Sequence, residues 1–454
     1  MRFEIVQGDE QLSSHSGLAL VGVILDRTSI RKRLDAVMLP EHSFPEISHG
    51  EVATAMIGLI CVGKPDFDAI EAFRDDPFFI QSLGLDSVPS SPTLRQRLDS
   101  VKGAFNDIIL EESAGIVGRL APAITPCHGK LVAVDIDVSP FDNSKTKKEG
   151  VSWTYKGFDG YAPIFGYVGE EGYLANLELR PGSEHCQKGT EAFLRRTLRY
   201  ARLMSQATFL VRMDAGNDSV SNIKVCREEK AHYIIKRNLR QETPEEWLEI
   251  ARECGELQEP RPGKQVWMGE RYIQRPEIEE PLRMVFCVTL RTMEADGQAL
   301  LIPRIEVETY WTSLNDDVAT VVELYRARGT SEQFHSELKT DLDLERLPSG
   351  KFQTNELVLL LGMVAYNLLR LIGQESLREA DAPCSEAGFT APVAQRDAGP
   401  GLSVMSLGEA CTPLDAVLRT ELPLAQDMAA GIPSIRADLR SNNTASLYHE
   451  VGRH

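Results

Sequence analysis

The chain has 454 residues, 42% hydrophobic and 26% charged, the composition of an ordinary globular protein with length for two or three domains. Its formal net charge of -18 argues against nucleic-acid binding, because a protein that displaces counterions from phosphates usually carries a basic surface. No uninterrupted apolar run approaches the roughly 20 residues of a membrane span, and MRFEIVQGDE lacks the character of a signal peptide, so a cytoplasmic location is expected. The eight cysteines contain no CxxC pair, so neither a disulfide framework nor a zinc ribbon is expected, and the adjacent pairs Cys127-His128 and His185-Cys186 suit a tetrahedral site poorly.

Positive charge is nevertheless clustered, at Arg31, Lys32 and Arg33, at Lys145, Lys147 and Lys148, along Arg195 to Arg202, and in the run from Tyr325 to Lys339. Basic patches on an acidic protein can still form a groove for phosphates.

Residues 1 to about 125 read as helical. GEVATAMIGLICVG has the periodicity of a buried helix, and DAIEAFRDDPFFIQSLGL reads as a helix closing at Gly84. In SVPSSPTLRQRLDSV, Ser91 is the expected N-cap, Pro92 the first helical residue, and Arg95, Gln96 and Arg97 a basic polar face. The pattern fits a helix-turn-helix that docks in a major groove, and equally an ordinary helical hairpin.

From Lys130 the texture becomes α/β. LVAVDIDVSP is a β-branched strand with Asp135 and Asp137 on one face. APIFGYVG and YLANLEL read as a hairpin, followed by a helix with Arg195, Arg196 and Arg199, a strand FLVRM ending at Asp214, another amphipathic segment, and the strand AHYIIKRN. Three strands, helix, strand, helix, strand and a later helix bearing an acid is the element order of a ribonuclease-H-like fold. About eighty residues then intervene, with strand-like KQVWMGERYIQ, RMVFCVTLRT and LIPRIEVETYW reading as a β-rich insertion.

The run YRARGTSEQFHSELK follows. As one continuous helix at about 100° per residue, it would gather Tyr325, Arg328, Glu332 and Lys339 within a wedge of about 60°. With Asp137 and Asp214, Glu332 completes three carboxylates, the donor set that lets divalent metal ions activate an attacking oxygen and stabilise a leaving oxygen on a phosphodiester, with cations beside it to take the phosphate charge. FQTNELVLLLGMVAYNLLRLIG is a long apolar helix expected to pack under this site. Beyond about Ala380 the chain turns rich in Ala, Gly, Pro, Ser and Asp, and its last lysine is Lys351.

These motifs resemble the DDE transposases of bacterial insertion sequences, in the branch whose third acid lies in a Tyr, two residues, Arg, three residues, Glu, six residues, Lys signature. Tyr325, Arg328, Glu332 and Lys339 match that spacing, and DIDVSPFDNSKTKKEGVSWTYKGFDGYAPIFGY, LRPGSEHCQKGTEAFLRR and FLVRMDAGNDS resemble the family's first-acid, linker and second-acid regions. The resemblance runs from about Gly17 to about Glu379. It implies an N-terminal DNA-end-binding domain over 1–125, a ribonuclease-H-like catalytic core over 126–240 and 312–376, and a β-rich insertion over 241–311. It implies Asp137, Asp214 and Glu332 as catalytic metal ligands for Mg2+, with Mn2+ substituting, and Tyr325, Arg328 and Lys339 as contacts to DNA phosphates. Asp135 competes for the first role, and Asp137 is preferred because Ser139 follows it after one residue, as in the family's Asp-x-Thr/Ser pattern. The partners implied are double-stranded DNA, as terminal inverted repeats and target, and a second copy in a DNA-bound dimer on the nucleoid. In relatives an aromatic of the insertion stacks on a displaced base, a role open to Trp267 and Trp311. A nuclease of the same fold and a disabled DNA-binding remnant are the alternatives. Relatives end in Arg-rich helices, so residues 380–454 read as a tail shifted out of frame near Pro383, or as a divergent or disordered one.

Overall fold

A computed structural model describes residues 15–39, 46–121 and 123–376 of the chain, so the atypical tail lies outside the described residues. The described residues divide between two compact units, one within residues 122–335 and one holding those before 122 with residues 336–376.

In the helical unit, helix His49–Cys61 begins with a capping box: the Ser48 side chain accepts from Glu51 N at 3.1 Å and the Glu51 carboxylate from Ser48 N at 2.9 Å. Its apolar faces are buried against helix Phe352–Ser376, which also packs on helix Asn106–Leu120. Phe352–Ser376 is long and apolar enough to cross a membrane, yet 89% of its most apolar window is buried. It is a core helix whose polar groups are matched: Asn367 donates to Ser113 Oγ at 2.9 Å and Arg370 pairs with the buried Glu337. The segment 336–376, expected in the catalytic core, therefore belongs to the helical unit because the helices of residues 49–120 cover its apolar surface.

The basic helix runs from Ser91 to Val101 with Ser90, not Ser91, as N-cap, its side chain accepting from Thr93 N. Of its expected polar face, Arg97 is buried and donates to the Ile47 carbonyl at 2.7 Å, with His49 Nδ1 at 2.8 Å, so its charge holds the unit together and is not offered to a groove.

The second unit is built on strands β1 (Leu131–Val138), β2 (Phe141–Asp142), β3 (Ser152–Trp153), β4 (Asp159–Tyr161), β5 (Ile164–Val168), β6 (Tyr173–Glu178), β7 (Thr208–Met213), β8 (His232–Lys236), β9 (Glu256–Arg261), β10 (Lys264–Arg275), β11 (Ile278–Met293) and β12 (Ala299–Thr312). Nine form one sheet in the order β6-β5-β1-β7-β8-β12-β11-β10-β9, and β2-β4-β3 form a second, small sheet. β6, β5 and β1 are antiparallel neighbours, whereas β1, β7 and β8 run parallel, with helices Thr190–Met204 and Val220–Glu228 as the crossovers that parallel pairing requires. This is the ribonuclease-H-like core. The inserted strands β9 to β12 continue the same sheet, because β12 pairs antiparallel with β8 through Trp311↔Ile235. Trp267 and Trp311, 5% and 3% exposed, belong to its core and present no face to a base. The Trp311 indole is fixed by Asp218, whose Oδ1 accepts from Nε1 at 2.9 Å.

Candidate active site

The register of the parallel pair β1 and β7 aligns Ile136 with Met213, so the next residue on each strand, Asp137 and Asp214, leaves the carboxyl edge of the sheet beside its neighbour. In open α/β sheets that edge is where ligands bind. Asp214 opens the short turn Ala215–Asn217, and Asn217 donates to its Oδ1 at 2.8 Å. Gly216 keeps that turn clear, since a Cβ there would stand 3.3 Å from the Asp214 carboxylate and 3.2 Å from Cys186 Sγ.

The two acids of β1 live in different environments. Asp135, 2% exposed, faces Arg212 on β7, which donates from Nε and Nη2 at 2.6 and 2.7 Å and from Nη1 to the Leu324 carbonyl at 2.8 Å. Asp137 lies at the strand end, with Arg328 Nη2 2.9 Å from one oxygen and His335 Nε2 3.0 Å from the other. The His335 ring is held from its far side by the Tyr167 hydroxyl, 3.0 Å from Nδ1.

Charge follows this geometry. Burial pushes the Asp137 carboxyl up, but the His335 hydrogen bond and the Arg328 charge outweigh it and hold the group at about 2. Burial and then the negative Asp137 push the Asp214 carboxyl up, against Arg328 and Asn217. Burial drives the Tyr325 phenol up to about 12 despite Arg328. These shifts show Asp137, Asp214, Tyr325 and Arg328 sharing one electrostatic neighbourhood.

The signature run is not one uniform helix. An α-helix Val318–Arg326 passes into a 3-10 segment Ala327–Thr330, an α-helix Ser331–Ser336 and a π-helical turn Glu337–Asp341. The changing residues per turn break the single wedge expected of Tyr325, Arg328, Glu332 and Lys339. Val321 and Val322 seat the first segment on the sheet core with Leu210, Val285 and Tyr310, and the Tyr325 ring packs against Tyr310 with centroids 4.6 Å apart and planes tilted by 46°. Glu332 is exposed on the first turn of Ser331–Ser336, and among the described residues no set of three or more His, Cys, Asp or Glu converges as a metal cage. Lys339 lies in the π-helical turn, in the helical unit.

Most of the expected basic clusters are engaged internally. Arg31 donates to Thr54 and the Gly84 carbonyl, Arg33 pairs with Glu111 and Glu112, Arg196 with Glu178, Arg195 and Arg202 with Glu228 and Glu229, and Arg326 with Glu308. Lys145 and Lys147 are exposed.

Sequence reasoning passed over His335 and Arg212. The signals were present: His335 follows Glu332 by three residues, one helical turn, and Arg212 is a lone cation on the apolar strand FLVRM.

No curated protein matches the sequence. A cryo-EM structure of piggyBac transposase, a synaptic complex with hairpin DNA, is similar at 12% identity over 92% of this chain and 84% of that chain, with a TM-score of 0.41. Residues 4–387 match the family described as Transposase DDE domain group 1. The chain belongs to this family of DDE transposases.

Proposed function

We propose that the chain cuts and joins the ends of an insertion sequence by metal-dependent phosphodiester hydrolysis and transesterification, with Asp137, Asp214 and Glu332 as ligands and Mg2+ as the metal, Mn2+ substituting. The carrying observation is the β1/β7 register, which sets Asp137 and Asp214 side by side at the carboxyl edge with Arg328 against Asp137. Two aspartate carboxylates are hard oxygen donors, and Mg2+ needs few of these because it keeps positions for water and phosphate. The two aspartates therefore suit such an ion, and the exposed Glu332 is the third oxygen donor of the proposal.

Bound there, divalent ions supply Lewis-acid activation of the attacking oxygen and stabilisation of the leaving one. The protein does the rest. Asp137 is ionised at neutral pH and ready to ligate, held so by His335 and Arg328. Arg328 lies 2.9 Å from the Asp137 carboxylate, where its planar fork suits a phosphate that enters the site. Tyr325 and Lys339 add a hydroxyl and an ammonium toward the DNA backbone, and a second copy assembles with this one on paired ends. Incubation of the protein with a duplex carrying the element's terminal repeat, a target plasmid and Mg2+ tests the reading: strand-transfer products are expected. Cleavage without joining indicates a nuclease of the same fold, and products that persist in EDTA overturn the metal mechanism.

One observation favours a disabled DNA-binding remnant as the second reading. The family match stops at residue 387, close to where the composition changes, and no lysine follows Lys351.

A further inference from the structure

We infer that Tyr167 is a positioning residue for metal binding: its hydroxyl locks the His335 ring so that the Nε2 proton stays on Asp137 and keeps that carboxylate aimed at the ion. The inference rests on the metal-dependent reading above and adds to it a buried residue outside the carboxylate set. The register of β1 and β5 builds the arrangement. Phe165 stands opposite Asp137 and Tyr167 opposite Asp135, so two aromatic rings line the sheet face that carries the acids.

The His335 ring lies against both, its centre 5.0 Å from that of Phe165 and 5.3 Å from that of Tyr167. Its neighbour Phe334 packs on Tyr167 at 5.2 Å and over Gly172, where a Cβ would come within 2.3 Å of the Phe334 ring. His335 and Tyr167 are 6% and 1% exposed, so neither ring nitrogen can fall back on bulk water.

The hydrogen bonds then follow from chemistry. The Asp137 carboxyl is ionised at neutral pH and only accepts, so the Nε2 that stands 3.0 Å from its Oδ2 carries a proton. In the neutral ring Nδ1 is then a bare acceptor, and the Tyr167 hydroxyl 3.0 Å away is the donor that suits it. A phenylalanine at 167 would leave Nδ1 buried without that donor, a cost the ring escapes by turning, which takes Nε2 off Asp137. Of the two donors on Asp137, Arg328 is the one proposed above to meet the phosphate. His335 is the contact left to orient the carboxylate once DNA is bound, and hydrogen bonds that orient a ligand in this way change metal affinity by about 10- to 100-fold.

The test uses the full-length, metal-free protein and Mn2+ titrated under electron paramagnetic resonance. Tyr167→Phe keeps the ring and removes only the hydroxyl, and should weaken Mn2+ binding about tenfold with unaltered circular dichroism. His335→Gln places an amide N–H near the Nε2 position with no tautomer to fix. It should retain most of the affinity, and adding Tyr167→Phe to it should change the affinity by less than about twofold. Whatever the folding of the variants, NMR of the 15N-histidine-labelled wild type should show the His335 ring protonated on Nε2 alone. A Tyr167→Phe affinity within about twofold of wild type, an equal loss in the His335→Gln background, or a wild-type His335 ring protonated on Nδ1 overturns the inference. Failure of the metal reading looks different: wild-type protein would then bind no Mn2+, or bind it equally well after Asp137→Ala, and the inference would fall with it.

Discussion

Arg212 grips both oxygens of Asp135, with Nε and Nη2 at 2.6 and 2.7 Å. The pair is 1–3% exposed, so each partner neutralises a charge that water cannot reach. Asp135→Ala should therefore destabilise the fold by about 3–5 kcal/mol, because it leaves the Arg212 guanidinium buried and uncompensated. Asp137→Ala should cost less, since the Asp137 side chain is 18% exposed and that of Asp135 only 3%. Urea denaturation of the two variants decides the assignment: a stable Asp135→Ala protein that no longer binds Mn2+ would make Asp135 the ligand.

Single replacement of Asp137, Asp214 or Glu332 by Ala should abolish cleavage of an end-containing duplex while leaving its binding in EDTA nearly unchanged. Mn2+ titration followed by electron paramagnetic resonance supplies a readout independent of turnover. Glu332→Ala with wild-type cleavage would remove the exposed glutamate from the ligand set.

The two site aspartates should respond oppositely to pH. The Asp137 carboxyl, held at about 2 against an ordinary 3.8, contributes stability that is present above 3.8 and lost as pH falls through 2. The Asp214 carboxyl is raised, so its charged form weakens the fold at neutral pH and this penalty lifts as pH falls through its folded value. Metal-free Asp214→Asn should melt higher than wild type at pH 7, by a margin that narrows in acid. Thermal melts across the acid range check both signs.

Arg328→Ala and Lys339→Ala should weaken end binding and lower its salt slope by about one counterion each. Arg328→Ala should also raise the Asp137 carboxyl, which would retain His335 as partner. Tyr325→Phe should be milder, because its ring contact with Tyr310 survives. Salt slopes that do not move in either cation variant return these residues to a purely structural role.

The tail hypothesis is tested at the nucleotide level. A frame that opens near the codon for Pro383 should encode an Arg-rich helical segment, and restoring it should increase DNA affinity at physiological salt more than at low salt. The absence of such a segment in every downstream frame rejects the frameshift.

Sequence by itself determined the order of elements and the family. Strand-length β-branched runs alternating with amphipathic helices specify the ribonuclease-H-like core, since local periodicity fixes which face each element must bury. The spacing of Asp137, Asp214, Tyr325, Arg328, Glu332 and Lys339 was likewise legible. Tertiary structure decided what depends on partners distant in the chain. Asp135 and Asp137 are equivalent by pleat, and only the β7 register, which places Arg212 opposite Asp135, separates a buried strut from an acid at the edge. The capture of Asp137 by Arg328 and His335 and the internal pairing of most arginine clusters follow from side chains meeting across 18 to 198 residues of sequence. A local pattern states what a side chain can do; the charges that surround it after folding select which of those things it does.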